Sequence, residues 1–472
     1  MEQLNRSINH SATMVERIIQ IGTGVFLRGF ADWIIDKMNK CAGFDTGVVV
    51  CQSTSGKTAE TFKKQDGLFT VRLTGIVDGK PETSHDLVSC VTRALSIPDD
   101  FDAFLALADN PDLRFIISNT TEAGISFDKT DPYEKPLTFP GRLARLLYRR
   151  FRNLPDNGFI IIPCELIEDN GNELKKAVLN YATLWGLKDG FDAWLGRKCI
   201  FCGTLVDRIV AGFPKEKAES IFAELGYRDE LLVEGEFFHL WVIEAPEEVR
   251  TEFPAEKAGL NVIFTDDIRP YRERKVRILN GTHTAMLPVS YLMGIDTVRE
   301  ALENPLINRF VKETVFNEIV PAVKAPGAKE FADEVLNRFM NPFIVHRFSS
   351  IMLNSFPKWR ARLLPTVIDY HHLTGMIPER IAFSFAALLV FYRGIRENGT
   401  IPLNDNPEVI ETMKTLWQDS TDTGKITRNI LSRKDFWGAD LNDIPQFSVM
   451  VAVFMKEIVE NGMAQALSDF MN

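Results

Sequence analysis

The feature that most constrains the fold is a short apolar strand that runs directly into a glycine-containing turn and then into a helical pattern. Arg17–Ile21 forms the strand, the turn begins Gly22-Thr23-Gly24, and Phe30–Met38 follows with helical spacing. In dinucleotide-binding folds the first glycine allows a tight turn, and the second lets the backbone approach a pyrophosphate at the helix N-terminus. Leu27 replaces the third glycine of the usual pattern, so this segment alone leaves a plain strand-to-helix turn open.

The pattern that follows predicts an α/β domain. Short β-branched runs alternate with longer helical stretches up to about residue 268, which is typical of βαβ units on a mostly parallel sheet. The candidate strands are Arg17–Ile21, Gly47–Cys51, Phe115–Ser118, Phe159–Pro163 and Val262–Thr265. The segment Phe69–Val77 follows a turn at Gln65–Leu68 and is expected to form an antiparallel insertion in the sheet.

Beyond residue 268 the strand signal fades and helical patterns follow one another. These segments are Arg274–Met293, Leu306–Ile319, Phe331–Phe339, Pro378–Asn398 and Phe447–Phe470. Pro270 suits the first turn of a helix, because it has no amide hydrogen to donate. The sequence of 472 residues therefore predicts two domains, a Rossmann-type domain at residues 1–268 and an all-helical domain at residues 269–472.

Composition restricts the partners. The chain has 54 Lys and Arg against 64 Asp and Glu, and this net charge of -10 argues against a general nucleic-acid binder. Six cysteines are too few for a disulfide framework in so long a chain, so we expect thiols. Met1–Glu16 lacks the apolar core of a secretory signal, and the longest nearly apolar run, Ile381–Tyr392, is too short to span a bilayer. These features predict a cytoplasmic protein without a membrane partner.

A second candidate motif combines Lys275, Asn280 and His283 with apolar residues between them. On a regular helix, at about 100° per residue, Asn280 and His283 share a face and Lys275 lies about 80° from His283. A desolvated lysine can exchange a proton with a carbinol oxygen, and an asparagine amide can stabilise negative charge there, without a metal. The basic run around Lys275 is also typical of a solvated helix face, so a structural role stays open.

The two motifs together, Gly22-x-Gly24-x-Phe26-x-Arg28 and Lys275-x4-Asn280-x2-His283, resemble the mannitol dehydrogenase family of polyol-specific long-chain dehydrogenases. That family pairs a Rossmann-type domain with a helical C-terminal domain and is metal-independent. Within it, the segments at 118–125, 161–167, 205–210 and 271–276 are similar to those of members that reduce tagaturonate. The match spans nearly the whole chain, and several motifs agree in order and spacing.

The resemblance implies that Lys275 is the general acid/base, that Asn280 binds the reacting oxygen and that His283 orients substrate or lysine. It also implies that NAD is bound by one set of residues: Gly22, Thr23, Gly24, Val25, Phe26, Leu27, Arg28, Ser118, Asn119 and Thr121. The acidic residue expected after the second strand is absent from Gln52–Ser55, which leaves the choice between NAD and NADP open.

The chain departs from the polyol-active members of the family at two positions that bear on substrate. Glu165-Leu166 stands where those members have an acidic residue followed by an asparagine of the oxyanion site. Lys358 matches a substrate-binding lysine, whereas its usual arginine partner is replaced by Ser350. We expect His346, in the helix before Ser350, and Arg360 to join Lys358 in binding substrate. Three arginines are candidates to clamp a uronate carboxylate: Arg347, Arg360 and Arg362.

The resemblance thus implies reversible, NADH-dependent reduction of a keto-hexuronate, with D-tagaturonate giving D-altronate in hexuronate catabolism. The substrate is then a small sugar acid. Fructuronate reduction to mannonate and polyol oxidation are alternatives within the family, and a dinucleotide-binding sensor without chemistry is an alternative outside it. No histidine or cysteine spacing predicts a metal site, and the sequence leaves the oligomeric state open.

Overall fold

The computed structural model describes residues 1–8, 14–77, 79–120, 124–187, 190–396 and 399–472. The chain forms two compact units. The first contains Met1–Gly75 and Glu82–Ile268, and the second contains Ile76–Pro81 and Arg269–Asn472. We refer to them as the sheet unit and the helical unit.

Up to residue 265 the described chain contains strands of two to nine residues. They are β1 Val15–Ile21, β2 Thr46–Gln52, β3 Phe69–Val77, β4 Lys80–Val88, β5 Val91–Ser96, β6 Phe115–Ser118, β7 Ile160–Pro163, β8 Ile200–Phe201, β9 Gly203–Asp207, β10 Val210–Gly212, β11 Val233–Glu236, β12 Leu240–Glu244 and β13 Val262–Thr265. Six of them form a parallel sheet in the order β5-β2-β1-β6-β7-β8. Because the order reverses at β1, the ends of β1 and β6 border the crevice where ligands bind in such sheets.

The parallel sheet is buried on both faces, which explains why its strands read as continuous apolar runs. Every residue of β2, β6 and β7 is buried. Alternate side chains enter two separate cores: Ile18 packs in one of them and Ile19 in the other. Helices cover each face, and the sheet unit thus has the Rossmann-type α/β fold with a parallel sheet that the sequence predicts.

The strands differ from the sequence prediction in several details. Val262–Thr265 is a strand, but it pairs with β12 in a separate three-stranded sheet. Phe69–Val77 is also a strand, and it belongs to a four-stranded sheet in which it pairs parallel with β11, so it is not an insertion in the main sheet. The edge strand Val91–Ser96 was not predicted, because its polar Thr92 and Arg93 break the apolar run.

The helices before residue 268 pack around these sheets. They are α1 Val25–Leu27, α2 Trp33–Ala42, α3 Thr58–Lys64, α4 Phe101–Ala106, α5 Phe139–Asn153, α6 Asn170–Leu184, α7 Phe191–Lys198, α8 Ala218–Leu225 and α9 Glu247–Glu252, with 3-10 turns at Leu107–Asp109 and Glu256–Ala258. A π-helical segment, Arg28–Asp32, joins α1 to α2 without a break in the helix. We call it the first π-turn.

The helical unit starts with a helix that has Pro270 in its first turn, as expected. Its helices are α10 Arg269–Arg274, α11 Gly281–Leu292, α12 Val298–Glu303, α13 Pro305–Glu313, α14 Val320–Ala322, α15 Ala328–Phe339, α16 Phe348–Ile351, α17 Ser355–Arg362, α18 Leu364–Thr374, α19 Glu379–Phe391, α20 Pro407–Asp419, α21 Thr423–Leu431, α22 Lys434–Trp437, α23 Phe447–Asn461 and α24 Met463–Met471. Further segments are the π-helices Lys275–Asn280 and Thr314–Ile319, a 3-10 turn at Leu441–Asp443 and the two-residue strands Ile395–Arg396 and Gly399–Thr400. We call Lys275–Asn280 the second π-turn.

The apolar run Ile381–Tyr392 lies in the core of this unit. Every residue of α19 from Ile381 to Phe391 is buried. The segment predicted as one helix, Phe447–Phe470, is instead two helices, because Gly462 adopts a φ of 80° between them. Among the described residues no helix combines the length and hydropathy needed to cross a membrane.

All six cysteines lie in described segments and are free thiols, as the sequence predicts. Cys41 is exposed near the end of α2, and the other five are buried. Burial raises the pKa of Cys51, Cys199 and Cys202 to about 12, so these thiols are unreactive in the folded protein.

Candidate active site

The glycine turn after β1 has the geometry that a dinucleotide requires. Gly22 has a φ of 122°, and a β-carbon there would lie 3.0 Å from Leu27 Cδ1 and 3.1 Å from the backbone oxygen of Asn119. Position 22 therefore needs glycine for both conformation and space. Gly24 begins the helix with a φ of -61°, and a β-carbon there would meet nothing within 4 Å. The open space above Gly24 fits a pyrophosphate at the helix N-terminus.

A groove opens where β1, β2 and β6 end. Its lining includes Thr23, Gly24, Ser53, Thr54, Asn119, Thr120 and Arg142. No acidic residue follows β2 in this lining. Arg142 donates from Nη1 to the backbone oxygen of Ser53 at 2.5 Å, so a cation supports the loop after β2.

The other predicted residues of the glycine turn do not line this groove. Val25 is exposed, and Phe26 stacks on Phe30 with ring centroids 4.9 Å apart. Leu27 is buried beneath Gly22. Arg28 is also buried, and it donates from Nη1 to the backbone oxygen of Thr23 at 2.7 Å. Leu27 and Arg28 therefore support the turn from the protein interior.

The residues after β6 are held by a buried carboxylate. Glu165 accepts hydrogen bonds from Ser118 Oγ at 3.1 Å and from the amide of Thr120 at 3.0 Å. Asn119 Nδ2 donates to the backbone oxygen of Cys164 at 2.6 Å. Burial raises the pKa of Glu165. Ser118 is thus committed to Glu165, Asn119 and Thr120 reach the groove, and Thr121 lies outside the described residues.

Inside the first π-turn, Arg28 and Asp32 form a buried pair of charged residues. Burial lowers the pKa of Arg28 to about 10 and raises the pKa of Asp32 to about 7. Gln20 Nε2, on β1, donates to Asp32 Oδ2 at 3.2 Å. This polar cluster ties the helix after the glycine turn to the first strand.

In the helical unit, the second π-turn changes the angles between the predicted catalytic residues. Its last hydrogen bond runs from the amide of Gly281 to the backbone oxygen of Val276, five residues earlier. Such a turn holds one residue more than an α-helical turn, so residues five apart lie above one another. Lys275 and Asn280 are then separated by roughly 40° instead of about 140°, and His283 lies near the same face. All three side chains are partly buried.

His283 occupies a confined environment. Its ring lies against Phe339, with centroids 4.2 Å apart, and 6.0 Å from the ring of His346. Its Nε2 atom is buried and has no hydrogen-bond partner within the described residues. Burial, together with the neighbouring basic groups His346 and Arg362, lowers the pKa of His283 well below its usual range. The ring is therefore neutral at pH 7 and available for one more hydrogen bond.

Of the predicted substrate residues, Lys358 and His346 lie beside His283 and act electrostatically on it. Lys358 is partly buried and donates from Nζ to the backbone oxygen of Ile351 at 2.8 Å. His346 belongs to the loop before α16, not to a helix as predicted, and its backbone oxygen accepts from the amide of Val298. Residues 344–346 make no helical turn, and α16 begins only at Phe348.

The arginines of α17 face different neighbours. Arg360 is exposed and donates to the backbone oxygen of Phe436 at 3.2 Å, away from His283. Arg362 is partly buried and donates to Thr284 Oγ1 at 3.1 Å, next to His283. Arg338 on α15 is a further basic residue near His283 that the sequence analysis missed. The sequence gives little indication of this role, since Arg338 is one arginine in an ordinary amphipathic helix.

Among the described residues no group of three or more His, Cys, Asp or Glu side chains is arranged to hold a metal ion. Comparison with known proteins identifies the two units. A model of the mannitol dehydrogenase Rossmann domain matches residues 16–257, and a model of the mannitol dehydrogenase C-terminal domain matches residues 267–459.

The chain belongs to the mannitol dehydrogenase family. It is therefore an oxidoreductase by family, with a Rossmann-type domain and a helical C-terminal region. It is 44% identical to an altronate oxidoreductase from Bacillus subtilis over 100% of this chain and 98% of that protein. It is 42% identical to an altronate oxidoreductase from Bacteroides thetaiotaomicron over the full length of both.

Two solved structures of polyol dehydrogenases share this fold. A D-sorbitol dehydrogenase in substrate-free form has a TM-score of 0.83 at 24% identity and covers 98% of this chain and 100% of its own. A Pseudomonas fluorescens mannitol 2-dehydrogenase, in a ternary complex with NAD and D-mannitol, has a TM-score of 0.69 at 22% identity and covers 100% and 99%.

Proposed function

We propose that the chain is an NAD-dependent oxidoreductase that interconverts D-tagaturonate and D-altronate by hydride transfer at a CH–OH group. The full-length identity of 40–44% to relatives named altronate oxidoreductase carries the choice of substrate. The described glycine turn supports a dinucleotide, because Gly22 admits no side chain and the space above Gly24 is open. Cytoplasmic residence stays a prediction.

In the direction of reduction, bound NADH supplies the hydride, and the ketone oxygen must gain a proton. Lys275 is the proton donor in this proposal, and the Asn280 amide donates a hydrogen bond to the same oxygen while negative charge develops. The low pKa of His283 supports this assignment, because a neutral imidazole is a poor proton source at pH 7. His283 instead orients the substrate or the lysine through a hydrogen bond.

The test is the loss of NADH absorbance when purified protein meets tagaturonate, fructuronate or fructose, with NADPH in parallel. We expect fast turnover with tagaturonate and NADH, and oxidation of altronate by NAD in the reverse assay. A preference for fructuronate or fructose would change the assigned substrate and leave the assigned reaction, hydride transfer at a CH–OH group, unchanged. Binding of NADH without turnover of any of the three would support the sensor alternative.

A further inference from the structure

A basic cluster surrounds His283 in the helical unit. We define it as Arg338 on α15, His346 before α16, and Lys358 and Arg362 on α17. These four groups have the largest charge interactions with His283, and all of them are basic. The buried Nε2 atom of His283 has no hydrogen-bond partner within the described residues. Positive charge and an unused polar atom together indicate a site for an anionic ligand that also carries hydroxyl groups.

Within the cluster, Arg362 is oriented toward the helix that carries His283. Its Nη1 donates to Thr284 Oγ1 at 3.1 Å, and Thr284 Oγ1 donates in turn to the backbone oxygen of Asn280 at 2.8 Å. Lys358 precedes Arg362 by one helical turn, so the two side chains share a face of α17. Burial lowers the pKa of both groups, which means that each cation has lost part of its hydration.

The absence of an ion pair distinguishes Arg362 from two other arginines of this unit. Arg277 pairs with Asp369 at 2.5 Å, and Arg380 pairs with Glu313 and with Glu318. Within the described residues, neither Arg362 nor Lys358 has a carboxylate at ion-pair distance. Arg362 can offer its remaining N–H donors to a ligand carboxylate, which would supply an acidic partner inside the basic cluster.

One acidic residue, Asp405, acts on Lys358 from a distance. Its carboxylate is occupied by its own surroundings, because Oδ2 accepts from the amide of Phe356 at 3.0 Å and from the Tyr392 hydroxyl. Its Oδ1 accepts from the amide of Asn406 at 2.7 Å. Asp405 therefore leaves Lys358 available to a carboxylate from outside the chain.

We propose that Arg362 binds the substrate carboxylate and thereby selects a sugar acid over a neutral polyol. The planar guanidinium can offer two parallel N–H donors to a carboxylate, which a lysine cannot. Lys358 adds a second charge from the same face of α17. This inference rests on the proposed function, because it assigns the part of the substrate that distinguishes tagaturonate from fructose.

The experiment compares Arg362→Gln with the wild type on tagaturonate and on fructose. Loss of a charge-assisted hydrogen bond should lower kcat/KM for tagaturonate about 10- to 100-fold. Fructose turnover should change less than about threefold, and Arg362→Lys should recover part of the loss. Arg428→Gln, at an exposed position on α21, is the matched control and should retain both activities. Equal losses on both substrates would overturn the proposal, because Arg362 would then act only through Thr284.

A binding measurement separates this inference from the proposed function. Calorimetry with NADH present measures the affinity of the wild type and of Arg362→Gln for gluconate, a sugar acid, and for sorbitol, its neutral counterpart. Weaker gluconate binding by about tenfold in the variant, with sorbitol unchanged, supports the carboxylate site even if tagaturonate is not turned over. Unchanged gluconate binding, in a variant whose melting temperature matches the wild type, contradicts it.

Discussion

The two π-turns share one backbone geometry but differ in the burial of their side chains. In the first, Arg28–Asp32, every residue is buried, and the extra residue directs Arg28 and Asp32 into the interior of the sheet unit. In the second, Arg277, Ile278 and Leu279 are buried, whereas Lys275 and Asn280 stay partly exposed on one face. A π-turn shifts the helical register by one residue, and the burial of the shifted side chains decides whether the result is structural or chemical.

This difference separates two kinds of experiment. Substitutions of Lys275 or Asn280 in the second π-turn should change turnover and leave the fold intact. Substitutions in and around the first π-turn should change stability or cofactor affinity and leave the chemistry intact. The comparison would be wrong if a substitution around the first π-turn changed only turnover, or if one at Lys275 or Asn280 changed mainly stability.

The largest effect is expected for Lys275→Ala. Removal of the proposed proton donor should lower kcat by about 10²- to 10⁴-fold, because general acid catalysis contributes that much. NADH affinity, followed by nucleotide fluorescence, and the melting temperature should stay close to the wild type. Near-normal turnover would remove Lys275 from the proposed mechanism.

A pair of glycine substitutions tests the turn that precedes the first π-turn. Gly22→Ala forces a positive φ on alanine and creates contacts of 3.0 and 3.1 Å, so we expect about 1–3 kcal/mol of destabilisation or an equivalent loss of NADH affinity. Gly24→Ala meets nothing within 4 Å, and its melting temperature should be normal. If Gly24→Ala also binds NADH normally, the pyrophosphate does not lie against Gly24.

Lys358→Ala should raise the KM for substrate about tenfold with a smaller change in kcat, because a binding charge is lost away from the proton transfer. Steady-state kinetics with tagaturonate measure both constants. An unchanged KM would exclude Lys358 from the binding site, whereas a fall in kcat alone would assign it to the same role as Lys275.

The smallest effect on turnover is expected for Asp32→Asn, which should instead change the pH dependence of stability. Burial raises the pKa of Asp32 to about 7, while a carboxyl of the unfolded chain titrates near 4. The folded protein thus binds this proton more tightly, so the stabilisation is complete below about pH 4 and is lost as the pH rises to about 7. The variant should show a flatter decline of melting temperature between about pH 4 and pH 7. A slope equal to the wild type would assign the effect to other groups.

Much of the sheet unit follows from the sequence because its strands are buried on both sides. Phe115–Ser118 is predicted with its observed bounds, and the strand before Gly22 is only two residues longer than expected. The edge strand Val91–Ser96 is missed for the opposite reason, since a strand with one open edge tolerates polar residues. Pairing between distant strands, such as β3 with β11, has no local signal at all.

The sequence proposes residue types for the candidate site, whereas it does not predict the local backbone geometry. Lys275, Asn280 and His283 lie on one continuous helical segment, as expected, and their catalytic roles stay a prediction; the regular spacing of about 100° per residue does not indicate the π-turn between them. Nothing in Lys275–Asn280 marks an extra residue, since each of these residues is also acceptable in an α-helix. Arg360 and Arg362 are likewise equivalent in sequence, and only their neighbours, Phe436 and Thr284, distinguish them.

Because five of the six cysteines are buried, the reactivity of the native thiols can be used to follow unfolding. In the native state a thiol-specific dye should label Cys41 alone, near the end of the helix that the first π-turn continues. Global unfolding exposes the remaining thiols, so the number of labelled cysteines counts unfolded molecules without any engineered probe. A fluorophore on Cys41 would also provide a single optical label on the helix that follows the glycine turn.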